Sequence, residues 1–536
     1  MNRSFLSITR FAVILMVLGG FIVSRSINAQ NDPHLTQEEL LNDYSKQVRE
    51  IAQLLTDKAV DHIDGGWKWQ KFMNIDDSLV RYSHYYPGLF YGAAGVGSFF
   101  LNMFDTFNDN QYLQVAEKAG QYILSQAITN GTTYKVIFGE EDNQSILWYR
   151  AENSITAYSG LKYGNAGISS YLLDLFERTG NETYLNYAEW SLQTLLRVVL
   201  DSYEGMTWSY SFDSTPLWDI MYGTGGKGLA FLKAYGVTGN ETYLEIAEEI
   251  SNSILTKSEV SEDTNEGVRN IYFTTDPLYK FYFTGLMNGQ AGMGMYFLKL
   301  YEVTQDTNLL RYARQFGNYL IQVGKEVWDY GGSDLLTQNP NSEGTYLGLS
   351  AGSAGIGLFF LKLYQETEEV KYLEPAVRVH QLLEKESQGK KDGHTYWYVQ
   401  KKGSDENSIH TGLSTGVAGI GLFYSELFNM FGLPEVLETL AGIDSYLTWA
   451  DSRYNFIPHN VTNHEELLFE DSSLFEGLAG IGWYYLSTIR ALNQSSSMYE
   501  QSVFEDVDVS SHSFLGLSAI MTLSVIVILQ KKLRSN

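Results

Sequence analysis

The phrase Gly352-Ser353-Ala354-Gly355-Ile356-Gly357, running on into Leu358-Phe359-Phe360-Leu361, constrains this chain more than any other stretch. A glycine, a second one three residues later and usually a third two further on open an apolar run. The same arrangement begins at Gly92, Gly164, Gly223, Gly289, Gly416 and Gly477, with successive first glycines 59 to 72 residues apart. A repeat of that length is one supersecondary unit that cannot bury its apolar face alone. Glycine inside a helix costs roughly 0.5–1 kcal/mol against alanine. Glycines at seven helix starts therefore imply backbone brought close to backbone, or to a ligand, where a Cβ would intrude. Helix packing without any chemical role is the ordinary reason for them.

Between these phrases lie segments with a single apolar stripe: residues 37–63, 111–126, 182–196, 241–255, 307–323, 370–386 and 434–448. Two open on an N-cap and a tyrosine-leucine pair, Asn181-Glu-Thr-Tyr-Leu and Asn240-Glu-Thr-Tyr-Leu. Each unit thus offers one amphipathic helix and one glycine-started helix that is apolar nearly all round, and the second kind must be buried. Two concentric rings, seven helices inside seven, satisfy both requirements. The lack of polar capping repeats favours closure over an open solenoid. The expected fold is all-α, a double-layer barrel of seven helical hairpins.

The loops leading into the inner helices are aromatic. They carry Trp148, Trp208, Tyr272, Trp328 and Trp397, and residues 395–400 alternate like a hairpin strand. Two readings stay open: a binding mouth for sugars or peptide side chains, or lid packing.

The balance is acidic, 63 Asp plus Glu against 37 Lys plus Arg and a net charge of −26, which argues against a nucleic-acid partner. There is no cysteine, so disulfides, thiolate nucleophiles and thiolate metal ligands are excluded. Arg3 and Arg10 precede an apolar run from Phe11 to Val23, followed by the cleavage context Ile27-Asn28-Ala29, so residues 1–29 read as a signal peptide or an N-terminal anchor. A second apolar run is followed by Lys531, Lys532 and Arg534. Residues 513–530 thus read as a transmembrane helix after a linker at 494–512, with 531–536 a cytoplasmic tail. The expectation is a single-pass protein of the cell membrane whose body lies outside the cytoplasm. Six Asn-x-Ser/Thr triplets, at Asn130, Asn143, Asn181, Asn240, Asn460 and Asn493, agree with a glycosylated exterior.

Seven helical hairpins with Gly-x-x-Gly at each inner helix resemble the lanthionine synthetase C-like family, over roughly residues 36–493. The resemblance implies an α/α toroid with a central cavity, in which the family's cyclases use zinc to activate a thiol for addition to a dehydrated residue. It implies an active-site aspartate in the third repeat, matched by Asp219 in Trp218-Asp219-Ile220-Met221-Tyr222-Gly223. It also implies a histidine before the fourth repeat's first glycine, a zinc-binding cysteine two residues before the fifth, and Cys-His before the sixth. Those positions hold Asn288, Ser350 and Ser414-Thr415. Hydroxyls and amides are poor zinc donors, so no zinc cofactor is expected.

The carboxylates left for chemistry are Asp219 and Glu476, with Asp471, Glu343 and Asp77 in corresponding loops. Two carboxylates across a sugar ring are the usual glycosidase arrangement, whereas a carboxylate beside a helix N-terminus is also favourable without catalysis. Three functions therefore stand. The first is a zinc-free, membrane-anchored family member binding a peptide or glycan through Asn288, Ser350, Ser414, Thr415, Tyr222, Trp218, Trp208 and Trp397. The second is a carbohydrate-active, glycoside hydrolase-like enzyme using Asp219 and a second acid. The third is cyclase-like thiol addition at an unconventional metal site.

Overall fold

The computed structural model describes residues 36–504 apart from 75–80, 130–144, 153, 155, 203–204, 208–216, 264–267, 273–282, 330–344, 402–407, 455–459, 462–465 and 468–470. The apolar segments 1–29 and 513–530 lie outside the described residues, among which no helix is long and apolar enough to cross a membrane. Two units separate by contact, and residues 35–492 form the larger.

Its outer helices are α1 (Gln37–Asp57), α3 (Asn110–Ser125), α5 (Glu182–Arg197), α7 (Glu241–Lys257), α9 (Thr307–Asp329), α11 (Val370–Glu386) and α13 (Pro434–Tyr454). Alternating with them are the glycine-started inner helices α2 (Ala93–Phe107), α4 (Asn165–Thr179), α6 (Thr224–Thr238), α8 (Gln290–Thr304), α10 (Ser353–Thr367), α12 (Val417–Phe431) and α14 (Leu478–Phe504). The first six inner helices each run 15 residues. All six stop at a residue in the left-handed conformation, as helices commonly do. Asn181 and Asn240 cap the next helices as expected, accepting from the Thr183 and Thr242 amides at 3.0 and 3.1 Å.

The first helix is shorter than its apolar stripe: α1 ends at Asp57, and Ile63 is 95% exposed in the following turn. Its role also differs from that of a plain first element. Tyr44 is fully buried, with its hydroxyl 2.8 Å from that of Tyr484 on α14 and donating to the Leu440 carbonyl on α13 at 2.7 Å. The N-terminal helix is therefore the outer partner of the last inner helix. Sequence separation hides this pairing.

Ring closure is written in the backbone. The residue two before each first glycine donates its N–H to the carbonyl of the equivalent residue in the next repeat. The bonds run from Phe90 to Lys162, Met221, Met287, Ser350, Ser414, Phe475 and back to Phe90, all between 2.8 and 3.1 Å. The Phe90 and Phe475 rings stack at 4.1 Å across the seam between the first and last repeats.

The glycines are what let the repeats approach. A Cβ on Gly95 would sit 2.0 Å from its own Leu89 carbonyl and 2.8 Å from Leu474 of the preceding repeat. The equivalent leucine or isoleucine of every repeat (Leu89, Leu161, Ile220, Leu286, Leu349, Leu413, Leu474) packs in this way on the next repeat's second glycine, giving an aliphatic layer under the hydrogen-bonded ring. The third glycine faces an aromatic ring of the following inner helix, as with Gly294 against Phe359 and Gly482 against Phe99. The second repeat has Ser169 in place of that glycine, and the third repeat has Ala230 where the others carry the ring.

Short antiparallel strand pairs decorate the loops. The strand expected over 395–400 is reduced to Gln400–Lys401, pairing with Thr345–Tyr346 of the preceding repeat instead of closing a local hairpin. A methyl group at Gly294 would lie 2.3 Å from the Phe359 ring. Overpacking of that kind costs about 1–3 kcal/mol, more than the helix-propensity gain of up to ~1 kcal/mol. Gly294→Ala should thus lower the midpoint of denaturant unfolding, while Ser169→Ala should leave it nearly unchanged.

Candidate functional site

The axial site is built at the end of the ring where the inner helices begin. The residue immediately before each first glycine sits against the next element of the ring. In repeat order these are Tyr91, Tyr163, Tyr222, Asn288, Ala351, Thr415 and Glu476. The layer is divided. The first three repeats contribute tyrosines, the seventh a carboxylate, and the fourth to sixth small polar or apolar side chains.

The tyrosine sector is filled and internally bonded. Tyr91 donates its hydroxyl to Glu476 Oε1 at 2.7 Å. Lys162 donates to the Tyr222 hydroxyl at 2.6 Å and lies 4.8, 5.3 and 4.9 Å from the ring centres of Tyr91, Tyr163 and Tyr222. That is a cation held by three aromatic faces. The Arg150 guanidinium sits 4.7 Å over Tyr163 from the other side. Burial and the neighbouring Glu476 carboxylate push the Tyr91 phenol well above its ordinary range, so it acts as a donor. Lys162, Tyr91, Tyr163 and Arg150 escaped the sequence reading. The in-phase Tyr–Gly at Gly92, Gly164 and Gly223 was the available signal.

Asp219 is placed beneath this sector rather than in it. It is 4% exposed, and its Oδ1 accepts the Tyr222 and Gly223 amides at 2.6 and 3.1 Å, in the turn that leads into α6. Lys227, fully buried one turn into α6, donates to the Tyr222 and Gly223 carbonyls at 3.0 and 3.1 Å. The pair grips both peptide planes that carry Tyr222. Trp218 is buried beside it at 6% exposure.

The opposite sector is open in its bonding. Ser350 and Ser414 are 4% and 8% exposed, and their amides are fixed in the backbone ring. Their hydroxyls, and the amide of half-buried Asn288, have no hydrogen-bond partner among the described residues. None of these polar atoms is sealed from solvent, so three open donor–acceptor groups on consecutive repeats are available to a ligand or water. Thr415 is engaged, its Oγ1 lying 2.5 Å from His410 Nδ1. These are the positions where the family resemblance puts zinc. One amide and three hydroxyls do not fit that ion, and no metal-suited cluster of three His, Asp or Glu occurs among the described residues.

The tryptophans serve the scaffold. Trp397, expected to bind ligand, is 2% exposed, stacks on Tyr424 and donates its indole N–H to the Leu383 carbonyl at 2.7 Å. Trp69 and Trp148 do the same for Leu55 and Ile123, at 2.6 and 2.8 Å. The Trp397 and Trp69 indoles thus satisfy carbonyls left open at the C-terminal ends of outer helices, and that of Trp148 adds a second donor to the Ile123 carbonyl, which also accepts from the Gln126 amide. Asp471 turns inward to accept the Ser473 amide at 2.8 Å. Trp208, Asp77 and Glu343 lie outside the described residues.

The sequence profile described as lanthionine synthetase C-like protein matches residues 35–268 and 262–441. No curated protein matches the chain. Among solved structures it is similar to nisin cyclase, at 13% identity and TM-score 0.47, covering 86% of this chain and 99% of that one. It is also similar to the cellobiose 2-epimerase of Bacillus thermoamylovorans B4167, at 12% identity and TM-score 0.49, covering 84% and 99%. A family 76 mannosidase from Bacteroides thetaiotaomicron VPI-5482 follows at 12% identity and TM-score 0.41, covering 85% and 99%.

Two predictions follow from the buried groups. Burial raises the Asp219 carboxyl to about 6 and lowers the Lys227 ammonium to about 7. The folded state holds the Asp219 proton after the unfolded chain has lost it, so stability falls as pH rises from the ordinary carboxylate range to about 6. It releases the Lys227 proton while the unfolded chain keeps it, so stability recovers as pH rises beyond about 7. Denaturant titrations from acid to alkaline pH should show this dip near neutrality in the parent and not in the double variant Asp219→Asn, Lys227→Met. Trp397→Phe should lower stability by about 1–3 kcal/mol through its stranded carbonyl, measured in the same titrations.

Proposed function

We infer the function from one premise: the chain belongs to the lanthionine synthetase C-like family, whose profile spans most of it. On that premise the protein is a zinc-free member that binds a neutral, polyhydroxylated ligand, a glycan, at the axial end of its ring and does not turn it over. The observation that carries this reading is the run of unpartnered side chains, Asn288, Ser350 and Ser414, on the three repeats that follow the tyrosine-bearing ones in the ring. Serine hydroxyls and a carboxamide both donate and accept, which matches sugar hydroxyls without any charge to neutralise. Tyrosine rings supply apolar faces with a polar tip for the C–H side of a sugar. Thr415, tied to His410, and Tyr222, tied to Lys162, border the two sectors.

Binding is favoured over hydrolysis because Asp219 is spent on the amides of the turn before α6 and Glu476 accepts from Tyr91. Thiol addition is disfavoured by the donor set at the family's zinc position. The apolar segment 513–530 with its basic tail supports tethering of the ring to a membrane from outside the cytoplasm.

Calorimetric titration with neutral oligosaccharides and with uncharged peptides tests the reading. Saturable oligosaccharide binding is expected. Ser350→Ala and Ser414→Ala should each weaken it about two- to tenfold, the value of one neutral hydrogen bond of ~0.5–1.5 kcal/mol. Binding of the peptides alone would refute the glycan assignment. Sugar product that disappears in Asp219→Asn would replace binding with catalysis.

A further inference from the structure

The ring encloses a second space that the axial site does not use. Below the aliphatic layer, toward the C-terminal ends of the inner helices, lies a cavity of about 420 Å³, within the range of small-molecule sites. Leu89 and Leu474 of that layer form its roof. Its walls come from α2, α4, α6 and α14, four neighbours in the ring.

The sixth residue after each first glycine is Ser98, Ser170, Leu229, Met295, Leu358, Leu422 and Trp483 in repeat order. One sector of that layer therefore carries two hydroxyls and an indole where the rest is aliphatic. Trp483 is half-buried, yet its indole N–H has no partner among the described residues. The N–H is not sealed from solvent and so is open to a ligand, unlike those of Trp69, Trp148 and Trp397, which are committed to carbonyls. Ser98 and Ser170 donate their protons to the Ala94 and Ala166 carbonyls at 2.8 Å, which leaves their lone pairs as acceptors.

One turn further along, Asp174 bridges Lys233 at 2.5 Å and Arg178 at 3.3 Å. Asn102 takes the Arg490 guanidinium on its carbonyl oxygen. Lys233 contacts Asp174 alone among the described residues, so other ammonium hydrogens are uncommitted. Asp174, Arg178 and Lys233 are 23–30% exposed, so solvent reaches the cavity. The wall's charges are already paired. A charged ligand would have to break a pair, whereas a neutral polyol would add bonds to it.

We propose that this cavity is a second ligand site, separate from the axial one, that takes a neutral sugar with a ring face against Trp483 and its hydroxyls on Ser98, Ser170 and Lys233. The indole face, the two acceptors and the spare donors are the chemistry that carries it, and nothing in it depends on the axial reading.

Fluorine NMR on the full chain labelled with fluorotryptophan tests it, with maltose and cellobiose as probes and Trp483→Phe to assign the signal. The Trp483 resonance should move saturably with at least one disaccharide. Ser170→Ala combined with Lys233→Met should weaken that titration about tenfold with the other tryptophan signals in place. The axial variant Asn288→Ala should leave it unchanged. A Trp483 signal unmoved by both sugars, or a titration lost in Asn288→Ala, would overturn the second site. Oligosaccharide binding left unchanged by Ser350→Ala and Ser414→Ala would instead count against the axial reading.

Discussion

Seven backbone hydrogen bonds, each passing from one repeat to the next and the last returning to the first, hold the architecture. They are short-range devices with a long-range effect. Each fixes the start of one inner helix relative to the next, so errors cannot accumulate around the circle. The bonds require two peptide planes to meet at the crowded N-terminal ends of seven helices. That is possible only where the first two glycines of each phrase carry no side chain, since a Cβ at the second would collide with a carbonyl of its own repeat. The energy that makes the arrangement worthwhile is burial of the inner helices, whose leucines and aromatic rings pack on the glycines of their neighbours.

The same bonds decide where chemistry can occur. The residues in the ring, and those directly after them, are held with little freedom around one axis. Function is therefore a matter of which side chains stand on that fixed circle. Here tyrosines, a caged lysine and a carboxylate occupy one arc, and unpaired hydroxyls and an amide the other. The buried Asp219–Lys227 pair contributes by clamping the peptide on either side of Tyr222. Two buried opposite charges are weak evidence for stability, and fixing one side chain on the circle is a more direct reason for them.

Much of this was legible in the sequence because glycine spacing and helical periodicity are both local signals. The seven phrases located the inner helices within a residue or so and their phase singled out Glu476, whereas Asn288, Ser350 and Ser414 came from the family resemblance. What stayed hidden depends on partners distant in sequence. The stripe of α1 shows that it packs, but not that Tyr44 meets Tyr484 across the seam. Trp397 and Trp148 read as mouth aromatics because a tryptophan in a loop carries no mark of the helix-end carbonyl it satisfies. Asp174 and Lys233 look like ordinary surface charges on a helix, although they sit one per repeat on the faces that line the hollow. Asp219 was found by its motif, and the motif is silent on whether its oxygens face a ligand or the backbone.

Amide hydrogen exchange of the seven ring residues tests closure most directly. Residues Phe90, Lys162, Met221, Met287, Ser350, Ser414 and Phe475 should exchange slowly and together, with Phe90 and Phe475 as protected as Ser350. An open superhelix would free the Phe475 amide, whose bond to the Phe90 carbonyl spans the seam, and leave it exchanging orders of magnitude faster than the other six, and that result would contradict the account.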